Sequence, residues 1–329
     1  MHAVIAGTGS YVPEHVVTNA ELSALLGEDI DEFVSTRLGI RERRWSAPDQ
    51  STVALAVPAA LQAIASAGLQ PADIDLIIVA TDTPEYISPA TSSVLQTRIN
   101  ATRAATFDVN CACAGFVTAL DVAWKFLRAD DRYQHVLIAG VYAMSKYLDQ
   151  KDKKTVTIFA DGAGAVVLKR AAHPGILASE LYADGSYADR MGVFAGGTAE
   201  PITAEVLRTN QRNRLRFIQK YPPEVNEEGW PRIVRSVLSR IGKTENDVNL
   251  WLWTQVNLST IATVMQKLNQ PMEKAHTIMH RVGYTGSACI PMALDDATRS
   301  GRLRDGDLVV MTGSGAGLAM GTVALEWRA

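Results

Sequence analysis

Cysteine is nearly absent from this sequence: Cys111, Cys113 and Cys289 are the only three in 329 residues. So few thiols over that length exclude a disulfide framework and point to reduced cysteines in a cytoplasm. Long hydrophobic runs are missing too. None reaches the roughly 18 residues that a membrane-spanning helix needs. The opening MHAVIAGTGSYVPEHV lacks the basic, apolar and small-residue order of a signal peptide. Charge of one sign is not in excess either. The net charge is -3 and no Lys/Arg cluster stands out, which argues against nucleic acid as a partner. That balance leaves room for a local basic patch facing a phosphate-bearing ligand. The paired C-x-C has no further ligands nearby, so no metal site is expected.

What is present is ordinary for a soluble globular chain, with 47% hydrophobic and 20% charged residues. The length exceeds one average domain, so two domains or one duplicated domain are expected. Short apolar runs alternate with longer amphipathic ones, the pattern of an α/β fold with buried strands. IDLIIVATDT (74–83), ATFDVN and HVLIAGV (135–141) read as strands. SSVLQTRINA and AGFVTALDVAWKFLRAD read as helices, the second with Phe116, Leu120, Val122, Ala123 and Phe126 on one face. The halves also echo each other. ADIDLIIVATDT resembles NDVNLWLWTQVN (246–257), and DGAGAVVLKR (161–170) resembles GSGAGLAMGTVALEW (313–327), with each GAG expected at a tight turn. The boundary is expected near RAAHPGI, giving halves 1–172 and 173–329. One polar stretch, Arg208 to Trp230, has no counterpart; it reads as a lid, an entrance wall, a partner surface or a plain solvated helix and loop.

The stretch DVNCACAGF (108–116) places Cys113 where a strand runs through tiny residues into a helix. Free N–H groups and the helix dipole there favour an anion, so a thiolate of lowered pKa and a nucleophilic role are expected. Core filling is the competing reading, because cysteine is among the most buried residue types. The local residues leave both open.

DVNCACAGFVTAL resembles the nucleophile motif of the β-ketoacyl-acyl-carrier-protein synthase III family, within the thiolase superfamily. EFVSTRLGIRERRW (32–45), TIFADGAGAVVL, GYTGSACIPMALDDA and TGSGAGLAMGT are similar to further family segments, in the family's order and at about its spacing. The similarity covers nearly the whole chain. It implies a duplicated, five-layer α/β/α/β/α thiolase fold, a homodimer, and an acyl-cysteine intermediate on Cys113. It also implies an oxyanion hole from the backbone N–H groups of Cys113 and Ala316. Acyl-CoA or an acyl carrier protein is then the donor, and no metal or redox cofactor is called for.

The chain departs from the family at two catalytic positions. Where the family has the His of HQxN and the Asn of GNTSAA, this sequence has Thr254 in WTQVN and Tyr284 in GYTGSA. Both family side chains donate hydrogen bonds to the enolate left when a malonyl thioester loses carbon dioxide; losing one such donor costs on the order of 10²- to 10³-fold. Hydroxyls can donate in their place, but neither supplies a base. Loading of Cys113 is therefore expected to survive, followed by transfer to an alcohol or amine. His280 is the nearest replacement base in sequence, and His276 a weaker one. The alternative is decarboxylative Claisen condensation with Thr254 and Tyr284 as donors, with Gln255 as a further inward-facing candidate. A third reading is a non-catalytic partner subunit. For the donor's coenzyme A or carrier arm, the resemblance implies Arg37 at the phosphates and adenine, Phe33 stacking on adenine, and Lys153 near a second phosphate; Ser259 takes a further arginine's place.

Overall fold

The computed structural model describes residues 2–210 and 212–328; Gln211, within the unmatched polar stretch, lies outside them. Nine strands form two sheets. Those of the first are β1 (His2–Tyr11), β2 (Leu76–Ala80), β3 (Ala105–Val109), β4 (His135–Ala143) and β5 (Asp161–Ala171). The second contains β6 (Ile176–Ala183), β7 (Leu250–Trp253), β8 (Leu308–Gly315) and β9 (Ala319–Glu326). The orders are β1-β5-β4-β2-β3 and β6-β9-β8-β7. β4, β2 and β3 run parallel, as do β8 and β7, and the other neighbours are antiparallel. Strand for strand, the second sheet repeats the first. In place of β3 it keeps only an isolated parallel bridge between Trp251 and Ala275.

Helices fill the remaining layers: α1 (Thr52–Ser66), α2 (Thr91–Arg98), α3 (Gly115–Ala129), α4 (Glu224–Glu227), α5 (Gly229–Arg240), α6 (Leu258–Lys267), α7 (Met279–Val282) and α8 (Cys289–Arg299). Strand alternation sorts the apolar side chains among them. Ile77 and Val79 of β2 face α1 and α2, whereas Leu76, Ile78 and Ala80 face α3 and α8 in the middle layer. In β7, Leu250 and Leu252 face that middle layer. Trp251 and Trp253 point outward, and Trp253 stacks on Trp251 and on Trp230 of α5, ring centres 5.4 and 5.2 Å apart. The result is the five-layer α/β/α/β/α thiolase-like fold. Because α3 is covered by sheets on two sides, its buried surface is wider than a single stripe. Trp124 and Leu127 are buried, and Val122 and Phe126, expected on the inner face, are only half-buried.

The repeat is real, but the two GAG stretches are not equivalent. Gly162-Ala163-Gly164 lies inside β5 rather than at a turn, while Gly315-Ala316-Gly317 ends β8 and turns toward β9. Register shows the true correspondence: Gly140 opposes Gly164 in the first sheet, and Gly313 opposes Gly321 in the second. DGAGAVVL therefore matches LAMGTVAL (318–325). The reason is close packing against the middle helices, since a Cβ on Gly164 would lie 2.5 Å from the backbone nitrogen of Met292 in α8.

That approach has a measurable consequence. Gly164→Ala forces a strand and a helix backbone apart and is expected to destabilise the fold by about 1–3 kcal/mol in urea denaturation. Gly185→Ala, at a glycine with open space around it, is expected to stay within about 0.5 kcal/mol of the parent. Equal effects would refute the close-packing account.

Candidate active site

Cys113 sits in a short 3-10 turn, Ala112–Ala114, directly ahead of α3. The turn begins with Ala112 in a left-handed conformation, φ 46°. Its pseudo-equivalent, Gly286–Ala288, lies ahead of α8 and begins with Gly286 at φ 47°. Gly286 is needed for space as well, because a Cβ there would lie 2.3 Å from the Tyr142 ring. Gly315 clears the other side: its Cβ would meet the Cys113 nitrogen at 2.6 Å. The sulfur residue is thus enclosed between two sheets, with 3% of its surface exposed.

One cavity of about 420 Å³ reaches it. Cys113, Thr254, Tyr284, Ser314, Gly315 and Ala316 line its inner part. Leu38, Ile158, Phe159, Met191, Phe217 and Val256 give it apolar walls. Tyr284 is held by backbone bonds from its nitrogen to the Ile158 oxygen (3.0 Å) and from the Ala160 nitrogen to its oxygen (2.9 Å). Its buried hydroxyl lies beside the Cys113 thiol and favours the thiolate. Thr254 Oγ1 accepts from the Ser314 N–H at 3.0 Å, and Ser314 Oγ donates to Asn226 Oδ1 at 2.9 Å.

The expected low-pKa thiolate is not what this environment produces. Burial pushes the Cys113 thiol well above its ordinary value, and Asp82 opposes ionisation further; the Tyr284 hydroxyl and the residue's own N–H offset only part of this. Desolvation outweighs the helix terminus. Asp82 itself is pushed up to about 6 by burial. Part of that residue reaches the surface, but its Oδ1 is sealed and accepts no hydrogen bond. Cys289 is raised to about 12 by burial and is inert core.

Of the residues singled out from sequence, the cavity brings together Cys113, Thr254, Tyr284, Ala316 and Ser259. His280 is not among them. It lies exposed on α7, where its carbonyl accepts from the Arg41 N–H, because a one-turn helix carries it away from Tyr284. His276 is tied to Asp296 at 2.8 Å and does not line the cavity either. Gln255 does not turn inward: its Oε1 accepts from Ile278 and Met279 N–H, pinning the backbone that leads to α7. Phe33 and Arg37 are exposed beside Leu38, which does line the cavity, and Lys153 pairs with Glu28 at 2.9 Å. Among the described residues no cluster of His, Cys, Asp and Glu is arranged to hold a metal, and no helix is long and apolar enough to cross a membrane.

Sequence reasoning missed Asp82 and the polar wall from the unmatched stretch, which supplies Lys220, Tyr221, Asn226 and Glu227. Entrance wall is the right description of residues 217–227. A signal was available in the paired Pro222-Pro223 ahead of VNEEGW, which fixes a turn where an exposed loop would need none.

Against known proteins, residues 107–185 match the family described as 3-Oxoacyl-[acyl-carrier-protein (ACP)] synthase III, and residues 238–327 match its C-terminal part. The chain is 38% identical over 326 residues to the beta-ketoacyl-[acyl-carrier-protein] synthase III 1 of Halalkalibacterium halodurans, covering 99% of this chain and 98% of that one. The crystal structure of 3-oxoacyl-(acyl carrier protein) synthase III from Pseudomonas aeruginosa PAO1 aligns with a TM-score of 0.90 at 35% identity, over 100% and 99% of the two chains. That from Aquifex aeolicus VF5 gives 0.90 at 33%, over 99% and 100%.

A neutral buried thiol alkylates slowly. In a Cys111→Ala background, iodoacetamide modification of Cys113 is expected to run about tenfold below a free cysteine at pH 8. Its rate should keep climbing through pH 9, since only the thiolate reacts and the raised pKa holds that form back. Tyr284→Phe, which removes a donor to the sulfur, should slow it further. Peptide mass spectrometry gives the rates; a plateau below pH 8 would contradict the assignment.

Proposed function

The chain belongs to the 3-oxoacyl-[acyl-carrier-protein] synthase III family of thiolase-superfamily acyltransferases, and from that premise we propose that it condenses an acyl group with a malonyl thioester. The Cys113 sulfur attacks the thioester carbonyl of an acyl-CoA or acyl carrier protein. The carbonyl–sulfur bond to the carrier breaks, and the Cys113 proton leaves on the released thiol. A malonyl thioester then loses carbon dioxide, the electrons of the broken C–C bond passing into an enolate. The enolate carbon attacks the acyl-cysteine carbonyl, the carbon–sulfur bond breaks, and the Cys113 sulfur leaves as a thiolate that takes one proton from solvent to restore the thiol. Backbone N–H groups of Cys113 and Ala316 receive the oxyanion in the acyl-transfer steps. Burial suits the first step, because a thiol desolvated beside the thioester has no water to lose on the way to the transition state.

The observation that carries this reading is a buried cysteine lining a cavity of about 420 Å³, with hydroxyls of Thr254 and Tyr284 on the same lining. Relatives named as condensing synthases move the balance from the alcohol or amine transfer expected from sequence to condensation. Transfer to an alcohol or amine keeps one argument: among the described residues no histidine lines the cavity, and an acceptor with its own nucleophilic atom needs no enolate. Cytoplasmic action follows from the same family reading.

Loading with acyl-CoA or acyl carrier protein should add one acyl mass to Cys113, and Cys113→Ala should abolish it. Adding a malonyl carrier protein should then release carbon dioxide and a 3-oxoacyl product. An alcohol or amine adduct with no carbon dioxide would select the second reading. No adduct with any chain length would leave only a non-catalytic partner role.

The homodimer belongs to the same proposal. β3 is an open edge strand whose residues all keep some exposure. The nearby loop after β2 carries Tyr86, 55% exposed, and Ile87, 88% exposed. An unpaired edge beside large apolar side chains is a surface that folded proteins cover, and a second copy can do so by pairing β3 with β3. Light scattering at micromolar concentration should give twice the chain mass of 35.6 kDa; the single-chain mass would overturn the assignment.

A further inference from the structure

An enolate forming in this cavity needs hydrogen-bond donors that are not already committed. The Tyr284 hydroxyl is aimed at the Cys113 sulfur. Ser314 spends its N–H on Thr254 and its O–H on Asn226. The Tyr221 hydroxyl donates to the Tyr187 carbonyl at 3.5 Å. Lys220 is exposed at the rim, and Asn257 caps α6 beside Ser259, also at the rim. Among the described residues, two donors adjoin the Ser314 end of the cavity: the Thr254 hydroxyl proton and, reaching in from the wall, the amide Nδ2 of Asn226.

The two share an anchor. Thr254 Oγ1 accepts from the Ser314 N–H at 3.0 Å, and Asn226 Oδ1 accepts from the Ser314 hydroxyl at 2.9 Å. Ser314 thereby takes up the acceptor end of the Asn226 amide and leaves its N–H pair without a partner. The backbone beneath Asn226 is firm. Its N–H bonds to the Pro223 carbonyl at 3.2 Å, Pro222 and Pro223 restrict the approach, and α5 follows at once, packed on β6 and β9. Gly229, the first residue of α5, packs where a Cβ would lie 2.8 Å from the end of Met320. A side chain on a loop held from both ends, with one end of its amide fixed, is preorganised for a ligand.

We infer that Asn226 is a substrate-binding residue whose side-chain amide donates a hydrogen bond to the thioester carbonyl oxygen of the malonyl unit, next to the Thr254 hydroxyl. This rests on the condensing reading above. The amide then stands where charge gathers as carbon dioxide leaves, and it comes from a segment of the second half that has no counterpart in the first.

The test compares Asn226→Asp and Asn226→Ala with the parent, measuring carbon dioxide release from a malonyl carrier protein and, in the same preparations, acyl loading of Cys113. Asp keeps an oxygen for Ser314 and removes the donor. Both variants are expected to lose about 10²-fold in carbon dioxide release relative to their own loading rate. A merely structural Asn226 would be rescued by Asp, and parent-like condensation in that variant overturns the inference while the condensing reading stands. If either variant fails to load, Ser314→Ala replaces it. Freeing the amide to rotate should cost condensation about tenfold, and no change would overturn the inference. A parent enzyme that loads but releases no carbon dioxide sinks the condensing reading, and this inference with it.

Discussion

The chemistry of this molecule depends on how little water reaches one sulfur. Cys113 is enclosed because two duplicated 3-10 turns meet between the sheets, each entered through a left-handed residue, Ala112 or Gly286. Glycines at 286 and 315 remove the Cβ atoms that would hold the surrounding layers apart. Close packing and reactivity are therefore one constraint. The glycines that let helix and strand touch also strip solvent from the thiol, and that desolvation raises its pKa. A site of this kind is quiet toward solvent-borne reagents and reactive toward a substrate that fills the cavity and brings its own carbonyl dipole.

Asp82 belongs to the same constraint. It follows β2, near the carboxyl ends of three parallel strands, and its sealed oxygen finds no donor. Burial raises it to about 6, and its field opposes ionisation of Cys113, Tyr142 and Tyr147 alike. The floor of the cavity is thus biased toward neutral groups near neutral pH. Hydroxyl donors such as Tyr284 and Thr254 keep their protons in that setting, as a hydrogen-bonding role requires.

Legibility in the sequence followed the range of the forces involved. Buried parallel strands print themselves as unbroken apolar runs, so β2 and β7 were readable, and so was the echo between them. The nucleophile turn was readable because tiny residues around a cysteine have few other uses. Where packing partners lay far apart in the chain, local pattern misled. The two GAG stretches align by eye, yet Gly164 answers Gly321, because helix contact rather than turn geometry selected the glycines. A helix end favours an anion at Cys113, but local sequence shows only that half of the balance. It could not weigh burial contributed by β8, two hundred residues away. His280 drew attention through nearness in sequence, and a single helical turn was enough to send it to the surface.

The same distance effect explains why the polar side of the cavity stayed hidden. Thr254, Ser314 and Asn226 come from a strand end, a second strand and the unmatched segment, and only folding brings them onto one hydrogen-bonded line. Duplication builds a symmetric frame with two equivalent turns, but the proposed reaction, which joins two different thioesters, is asymmetric. That asymmetry has to enter through what the halves do not share: a cysteine opposite Ser287, and one extra wall carrying Tyr221, Asn226 and Glu227. In a frame whose interior is otherwise apolar and repeated, those few unrepeated polar atoms decide which carbonyl is bound where, and hence which acceptor the acyl-cysteine meets.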